Sequence, residues 1–251
     1  MFRHFLIAIQ FLTRIPIPKS IVASEEDIGK AATFFPLVGV IVGGGAALTL
    51  TVLSKYLPVS TSVIGVLIFT AVLTNGFHED GLADSFDGFG GGWDKENILR
   101  IMRDSRIGTF GGLSLILLIL AKYNLISHID VSHLWRWLIL AHTASRWTIL
   151  PLCKWLPYAR EQGQGKLVAR RISWSAVVIA TITLLAVAYL LPIRESLNAI
   201  AVTAVIVFAS GLYYRYRIGG ITGDCLGATN QFAEVAIYLT AVLVSKASQI
   251  L

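Results

Sequence analysis

The chain has 251 residues, of which 55% are hydrophobic and only 14% are charged, and its mean hydropathy is +0.70. This composition excludes a soluble globular protein and indicates an integral membrane protein. The formal net charge of +6 does not indicate a nucleic-acid partner, because the basic residues are scattered between apolar segments. Cys153 and Cys225 have no CxxC spacing, so they predict neither a disulfide framework nor a zinc site.

The first segment, residues 1–14, is short, apolar and flanked by basic residues, and Pro16 and Pro18 follow it. This pattern predicts an interfacial helix lying at the membrane surface. A signal peptide is not expected, because the segment lacks a small-residue cleavage site.

Long apolar segments without alternation predict membrane-spanning helices, since a span needs about 20 apolar residues. Seven spans are predicted, at 33–53, 59–76, 107–127, 132–152, 174–193, 197–214 and 226–245. The whole chain, 1–251, is therefore expected to form one all-α, polytopic helical domain in the lipid bilayer. Gly39 and Gly43, four apart in the first span, predict close packing against another helix.

Lysine and arginine residues concentrate at the span ends that share a side with the N-terminus. By the positive-inside rule, the N-terminus is predicted to be cytoplasmic and the C-terminus to lie outside. The inner side includes Lys19, Arg160, Lys166, Arg170 and Arg171. The fewer basic residues assigned to the outer side are Lys55, Lys122, Arg136, Arg194 and Lys246.

An acidic, glycine-rich stretch, residues 76–106, follows the second span and is predicted to be cytoplasmic. Asp80, Asp84 and Asp87 share one helical face within about 40°, whereas Glu79 lies off that face. Like charges this close repel by roughly 4 kcal/mol per pair, so the cluster predicts a bound cation or protonated carboxyl groups. Oxygen ligands favour Mg²⁺ first and Mn²⁺ second. A solvated acidic helix face is the alternative interpretation.

The glycine run at 88–95 is predicted to be a connector, which either lies on the surface or folds back so that Asp104 approaches the other aspartates. Arg103 and Arg106 flank Asp104. Metal-binding acids beside guanidinium groups suit a phosphate-bearing substrate, because the metal and the arginines both bind phosphoryl oxygens. The two arginines are alternatively interfacial topology anchors.

A third polar motif precedes the last span, where several glycines surround Thr222 and Asp224. Such a loop exposes backbone N–H groups to an anion, although Asp224 is alternatively a helix cap. Within the fourth span, His142 and Arg146 stand four apart on an apolar helix, and Glu234 is a candidate acidic partner. A substrate contact and a buried structural pair both remain open for Arg146.

Three motifs in this order resemble the cobalamin synthase family: His78–Asp84 with Asp87-Gly88, then Met102–Gly108, then Gly219–Asp224. Thr13–Pro16 and the hydropathy profile are also similar, so the resemblance covers essentially the whole chain. It implies a Mg²⁺-dependent transferase of late vitamin B12 synthesis. In that reaction adenosylcobinamide-GDP and α-ribazole, or its 5′-phosphate, give the cobalamin product and GMP.

The resemblance also implies residue roles, a location and partners. The catalytic and metal-binding candidates are Asp80, Asp84, Asp87 and Asp104, with His78 as a further proton acceptor. The substrate-binding candidates are Arg14, Arg103, Arg106, Arg146, Thr222 and Asp224. The expected location is the cytoplasmic (inner) membrane of a prokaryote. A homo-oligomer or an association with other cobalamin-pathway enzymes is a further expectation.

Two other functional classes agree less well with these motifs. Asp84-x-x-Asp87-Gly88 is similar to part of the CDP-alcohol phosphotransferase signature, but the Ala-Arg expected three residues later and the second half of that signature are absent. A cation-coupled transporter would place charged or broken helices near the membrane midplane and show a repeat between its halves. The acids here cluster at one predicted membrane face, and the sequence contains no visible repeat.

Overall fold

The computed structural model of the chain describes residues 1–18, 20–21, 23–160 and 172–250. We number its helices α1 Phe2–Leu12, α2 Glu25–Ala31, α3 Phe35–Leu53, α4 Val59–Thr74, α5 Phe77–Gly91, α6 Lys95–Ile101, α7 Thr109–Ser127, α8 Val131–Trp147, α9 Ile149–Trp155, α10 Trp174–Ala188, α11 Ile193–Ile218 and α12 Gly223–Ile250. All seven predicted spans fall on helices, and over the described ranges the only strand-like pairing is an isolated bridge between Tyr158 and Ile221. The all-α prediction is confirmed.

Within the described part of the chain, three helical segments are long and apolar enough to cross a membrane: 26–53, 109–127 and 193–218. The pair α4 and α5 would add a fourth if it were counted as one broken span. The other predicted spans are either shorter, as in α10, or carry charged residues, as in α8 and α12. A membrane protein is therefore confirmed, while the count of seven and the orientation stay predictions. Lys19, Lys166, Arg170 and Arg171, which contribute to that orientation, lie outside the described residues.

The predicted glycine face of the first span packs α3 directly onto α8. A β-carbon on Gly39 would lie 2.3 Å from the carbonyl oxygen of His142, and one on Gly43 would lie 2.6 Å from Cα of Ile139. No side chain fits at either position, so the two backbones touch. This contact confirms the small-residue packing prediction and fixes the centre of the bundle.

A sharp bend separates α4 from α5. Asn75 and Gly76 both have left-handed backbone angles, with φ of 59° and 62°, and the two helix axes meet at 88°. Asparagine and glycine are the residues that adopt this conformation at least cost. The bend ends the apolar helix and starts the acidic one in a new direction, so it sets the orientation of the aspartate face.

Four helices meet around a buried carboxylate, Glu234 of α12. Its oxygens lie 2.7 Å from Lys122 Nζ, 3.0 Å from His142 Nδ1 and 3.5 Å from Arg146 Nη1. Glu79 approaches the same lysine at 3.9 Å. Lys122 is only 6% exposed, so its assignment as an outer topology charge is wrong: it neutralises a buried acid inside the bundle.

Candidate active site

The aspartate face forms as predicted, because Asp80, Asp84 and Asp87 all lie on α5. The glycine run that follows is not a connector, since α5 continues through Gly91. Glycine is required inside this helix for packing: a β-carbon on Gly88 would lie 2.5 Å from the Met102 side chain. The glycines therefore let α6 and the loop after it pack closely on the acidic helix.

Two glycines bring the start of α12 against α5. A β-carbon on Gly81 would lie 3.0 Å from the carbonyl oxygen of Asp224 and 3.2 Å from Cα of Gly227. The crossing places Asp224 near the carboxylates of Asp80 and Asp84. The acidic motif after the second span and the glycine-rich motif before the last span thus meet in space.

Asp84 lies at the centre of this acidic cluster, and α5 is outside the predicted spans. Partial burial, followed by the neighbouring charges of Asp224 and Asp80, raises the pKa of the Asp84 carboxyl to about 7. The guanidinium of Arg160 opposes that shift. Burial raises this pKa most, and the neighbouring acids raise it further, so among the described residues the negative charges near Asp84 outweigh the positive ones.

Asp224 is held by an arginine. Its Oδ2 accepts a hydrogen bond of 2.6 Å from Arg160 Nη2, and both side chains are largely buried. Burial raises the pKa of Asp224, and the arginine limits that rise. The helix-cap alternative for Asp224 is wrong, because the backbone N–H of Cys225 donates instead to Thr222 Oγ1, at 3.2 Å. Thr222 therefore caps α12 and leaves Asp224 for the cluster.

Asp87 is turned toward the start of α7. Its two carboxylate oxygens accept backbone N–H groups, from Gly108 at 2.7 Å and from Gly111 at 2.8 Å. Such contacts satisfy the free N–H groups of a helix start and favour its positive end. The Asp87 carboxylate is thus engaged in joining two helices.

Asp104 lies in the loop between α6 and α7, where Arg106 bonds it at 2.7 Å. That ion pair lowers the pKa of Asp104 to about 2. The charges that act on Asp104 are those of Arg106 and Arg100, so the structure does not bring it to the acidic cluster. Arg103 is exposed, and so is Arg14, whose backbone N–H donates to the carbonyl of Leu73 at 2.7 Å.

The two remaining predicted site residues lie deep in the bundle. Arg146 is 1% exposed and pairs with Glu234, which is the structural alternative that the sequence left open. His78 is 2% exposed, and its Nε2 has no hydrogen-bond partner among the described residues. Neither side chain faces the aspartates from an exposed position.

An apolar cavity of about 510 Å³ borders the opposite side of α5. Its lining includes Phe86, Phe89 and Phe110. Phe86 comes two residues after Asp84 and so points about 200° away from it around the helix. The cavity is therefore separate from the aspartate cluster.

Comparison with known proteins agrees with the motif pattern. The family model described as cobalamin-5-phosphate synthase matches residues 4–242. The chain belongs to the cobalamin-5-phosphate synthase family.

Individual relatives match this synthase family member along nearly their whole length. The adenosylcobinamide-GDP ribazoletransferase of Shewanella woodyi is 40% identical over 242 residues, which covers 94% of this chain and 93% of that protein. Proteins of the same name from Ralstonia nicotianae and Vibrio parahaemolyticus are 39% and 37% identical, with 94% and 95% of this chain covered and 93% and 91% of theirs. No solved structure gives a significant match.

The carboxylates of the acidic cluster suit a magnesium ion, although they do not form a complete set of ligands around one point. Across the described ranges, no three His, Cys, Asp or Glu side chains are arranged to hold a metal. Mg²⁺ does not need such a complete set, because it usually binds one or two carboxylates, water and substrate phosphates. Asp80 and Asp84, one helical turn apart beside Asp224, supply hard oxygen ligands with too little counter-charge. Their chemistry therefore fits the ion.

Arg160 is the site residue that sequence reasoning missed, since it was counted only as a basic residue of the cytoplasmic side. It precedes Asp224 by 64 residues and belongs to no motif in the sequence. Only the pairing of its backbone segment with residues 219–222 reveals its position, and no periodicity predicts that pairing.

Proposed function

We propose that this chain is an adenosylcobinamide-GDP ribazoletransferase of late cobalamin synthesis. A ribose hydroxyl oxygen of α-ribazole, or of its 5′-phosphate, attacks the phosphorus linked to cobinamide. A new P–O bond forms, the bond to the bridging diphosphate oxygen breaks, and GMP leaves with that oxygen. The family assignment and the names of the aligned relatives support this reaction.

One structural observation locates the chemistry in the fold. Among the described residues, Asp80, Asp84 and Asp224 gather beside one arginine, Arg160, at the junction of α5 and α12. Phosphoryl transfer depends on positioning and on charge stabilisation more than on covalent chemistry. A cluster with excess negative charge supplies the place for a divalent cation, which neither the buried network nor the apolar cavity does.

In this proposal Asp80 and Asp84 hold Mg²⁺. When bound, the ion polarises phosphoryl oxygens and offsets the charge that develops on the leaving GMP. Asp224 accepts the proton of the attacking ribose hydroxyl, because burial makes its carboxylate a stronger base than an exposed one. Asp87 holds the start of α7 against this helix, so it positions the exposed loop that carries Arg103, Asp104 and Arg106. Contacts of that loop with the substrate stay predictions.

We further propose that the protein lies in the cytoplasmic membrane of a prokaryote with the cluster open to the cytoplasm. The orientation follows from the distribution of basic residues between the predicted spans. A homo-oligomer and an association with other enzymes of the pathway stay expectations.

The test follows GMP release by purified protein in detergent supplied with adenosylcobinamide-GDP, α-ribazole and Mg²⁺. We expect release by the wild type, loss of release on adding EDTA, and a decrease on the order of 10²-fold or more in the Asp84→Asn variant. The matched control is Asp130→Asn, which changes an exposed aspartate at the start of α8. Absence of GMP release from folded wild-type protein would refute the proposal, and full activity of Asp84→Asn would remove that residue from the site.

A further inference from the structure

Arg160 is a cation placed among carboxylates. Its Nη2 donates to Asp224 Oδ2 at 2.6 Å, and its charge also acts on Asp84. Its side chain is only 11% exposed, so little water competes for the guanidinium. An arginine in this position either forms a purely structural ion pair or binds a ligand. Its backbone anchoring, burial and hydrogen bonds distinguish the two roles.

The backbone just before Arg160 is held by the loop that precedes α12. Ala159 N–H donates to the carbonyl of Ile221 at 2.8 Å, and Ile221 N–H donates to that of Pro157 at 2.9 Å. A β-carbon on Gly220 would lie 2.3 Å from the Pro157 carbonyl oxygen, so only glycine permits this approach. The segment that leads into Arg160 is therefore anchored through its main chain, independently of the arginine side chain.

The guanidinium is incompletely satisfied in this arrangement. Its Nε is buried and has no hydrogen-bond partner among the described residues. An arginine offers five N–H donors in a fixed plane that matches phosphate oxygens, and a buried unpaired donor is costly. Arg146 in the Glu234 network also leaves its Nε unpaired. It is therefore the position of Arg160 beside Asp84 and Asp224 that would let an anion arriving at the cluster satisfy this donor.

The other candidate arginines lack the combination of burial and proximity to the aspartates. Arg106 is bonded to Asp104 through Nε and Nη2 and its side chain is 86% exposed, and Arg103 is also exposed. In water such groups contribute little binding energy. Arg146 is buried against Glu234, away from the cluster. Arg160 alone among these four combines burial, an unsatisfied donor and proximity to the aspartates.

We infer that Arg160 binds the diphosphate group of the substrate, exchanging its ion pair with Asp224 for phosphate oxygens. This inference rests on the proposed function, because it assigns a residue to the diphosphate of adenosylcobinamide-GDP. The exchange leaves the Asp224 carboxylate free to face the acceptor hydroxyl. Arg160 is thus the diphosphate-recognition residue of the site, and a lysine in its place would provide charge without the two-pronged geometry.

The test compares wild type with Arg160→Gln and Arg160→Lys, using Arg194→Gln, an exposed arginine at the start of α11, as the control. We expect Arg160→Gln to raise the KM for adenosylcobinamide-GDP by about ten- to hundredfold, the effect of losing charge-assisted hydrogen bonds. The KM for α-ribazole should not change. The KM of Arg160→Lys for adenosylcobinamide-GDP should lie between those of the wild type and Arg160→Gln. Unchanged KM values in folded variants, or equal increases for both substrates, would overturn the inference.

A binding measurement separates this inference from the reaction itself. Equilibrium binding of GDP and of GMP to the full-length protein in detergent reports recognition of a diphosphate without catalysis. We expect wild type and Asp224→Asn to prefer GDP, and Arg160→Gln and Arg160→Lys to lose part or all of that preference. If Asp224→Asn loses it equally, the ion pair rather than the arginine determines binding, and the inference fails. GDP preference without GMP release would instead refute the proposed reaction alone.

Discussion

Charged residues gather in two regions of this bundle, and the regions differ in balance and in burial. Around Glu234, two carboxylates meet Lys122 and Arg146 with His142 between them, and the central atoms are sealed from solvent. At the junction of α5 and α12, the described residues place three carboxylates beside one arginine, and Asp80 is exposed.

The difference teaches how to separate structural charges from functional ones. A buried network with matched charges ties four helices together and needs no further partner. A half-open cluster with unmatched charge is destabilising as it stands, and it becomes favourable only when a cation or a substrate binds. Excess charge, not the number of charged residues, marks the site.

The largest effect is expected from breaking the balanced network. Glu234→Gln leaves Lys122 and Arg146 buried without their shared carboxylate, which should cost about 3–5 kcal/mol of unfolding free energy. Thermal unfolding in detergent measures the loss, with Glu195→Gln at the start of α11 as the control. Adding Lys122→Met should recover part of the loss. Equal Tm values for Glu234→Gln and Glu195→Gln would contradict a structural role for the network.

The second-largest effect, an increase in stability rather than a loss, is expected from a substitution in the acidic cluster at the junction of α5 and α12. The pKa of Asp84 is raised to about 7 in the folded protein, so folding binds its proton more tightly than the unfolded chain does. The destabilisation is therefore nearly absent at pH 4, develops as pH rises to about 7 and stays constant above that. Asp84→Asn should raise Tm at pH 8 and leave it nearly unchanged at pH 4, as measured by thermal unfolding in EDTA.

The effect of Mg²⁺ on Tm tests the same cluster by a second route. At pH 8 the ion should raise the Tm of the wild type and have a much smaller effect on Asp84→Asn, because a ligand stabilises only the state that binds it. Glu195→Gln should respond like the wild type. A Tm that does not respond to Mg²⁺ in the wild type would show that the excess charge at the cluster serves something other than this cation.

The smallest effect is expected at a third ionic contact, where Asp27 joins α2 to the N-terminal helix. Arg3 bonds both oxygens of Asp27, at 2.7 and 2.9 Å, and the arginine side chain is half exposed. The half-exposed arginine contributes little, and asparagine keeps an oxygen that can accept from Ser24 as Asp27 does, so Asp27→Asn should lower Tm by a few degrees at most. Hydrogen exchange should rise within 2–12 and not in α3. Global destabilisation as large as that of Glu234→Gln would contradict this ranking.

Sequence patterns predicted the helices, the aspartate face and the Gly39–Gly43 contact, because each depends on local periodicity or on residue size. They named Glu234 as a candidate partner of Arg146, while a substrate contact stayed open. They missed the burial of Lys122 and the approach of Arg160 to Asp224. Lys122 reaches Glu234 across two packed helices, and Arg160 reaches Asp224 through backbone pairing with Ile221, so both depend on tertiary contacts that no local pattern contains.

The Glu234 network also has a consequence for biogenesis. Arg146 and its acidic partner are 88 residues apart, so α8 leaves the ribosome long before α12 does. A charged residue at the centre of a lone helix adds about 2.5–3.5 kcal/mol to the cost of insertion. We therefore expect α8 to insert less favourably on its own than when α12 is present to supply Glu234.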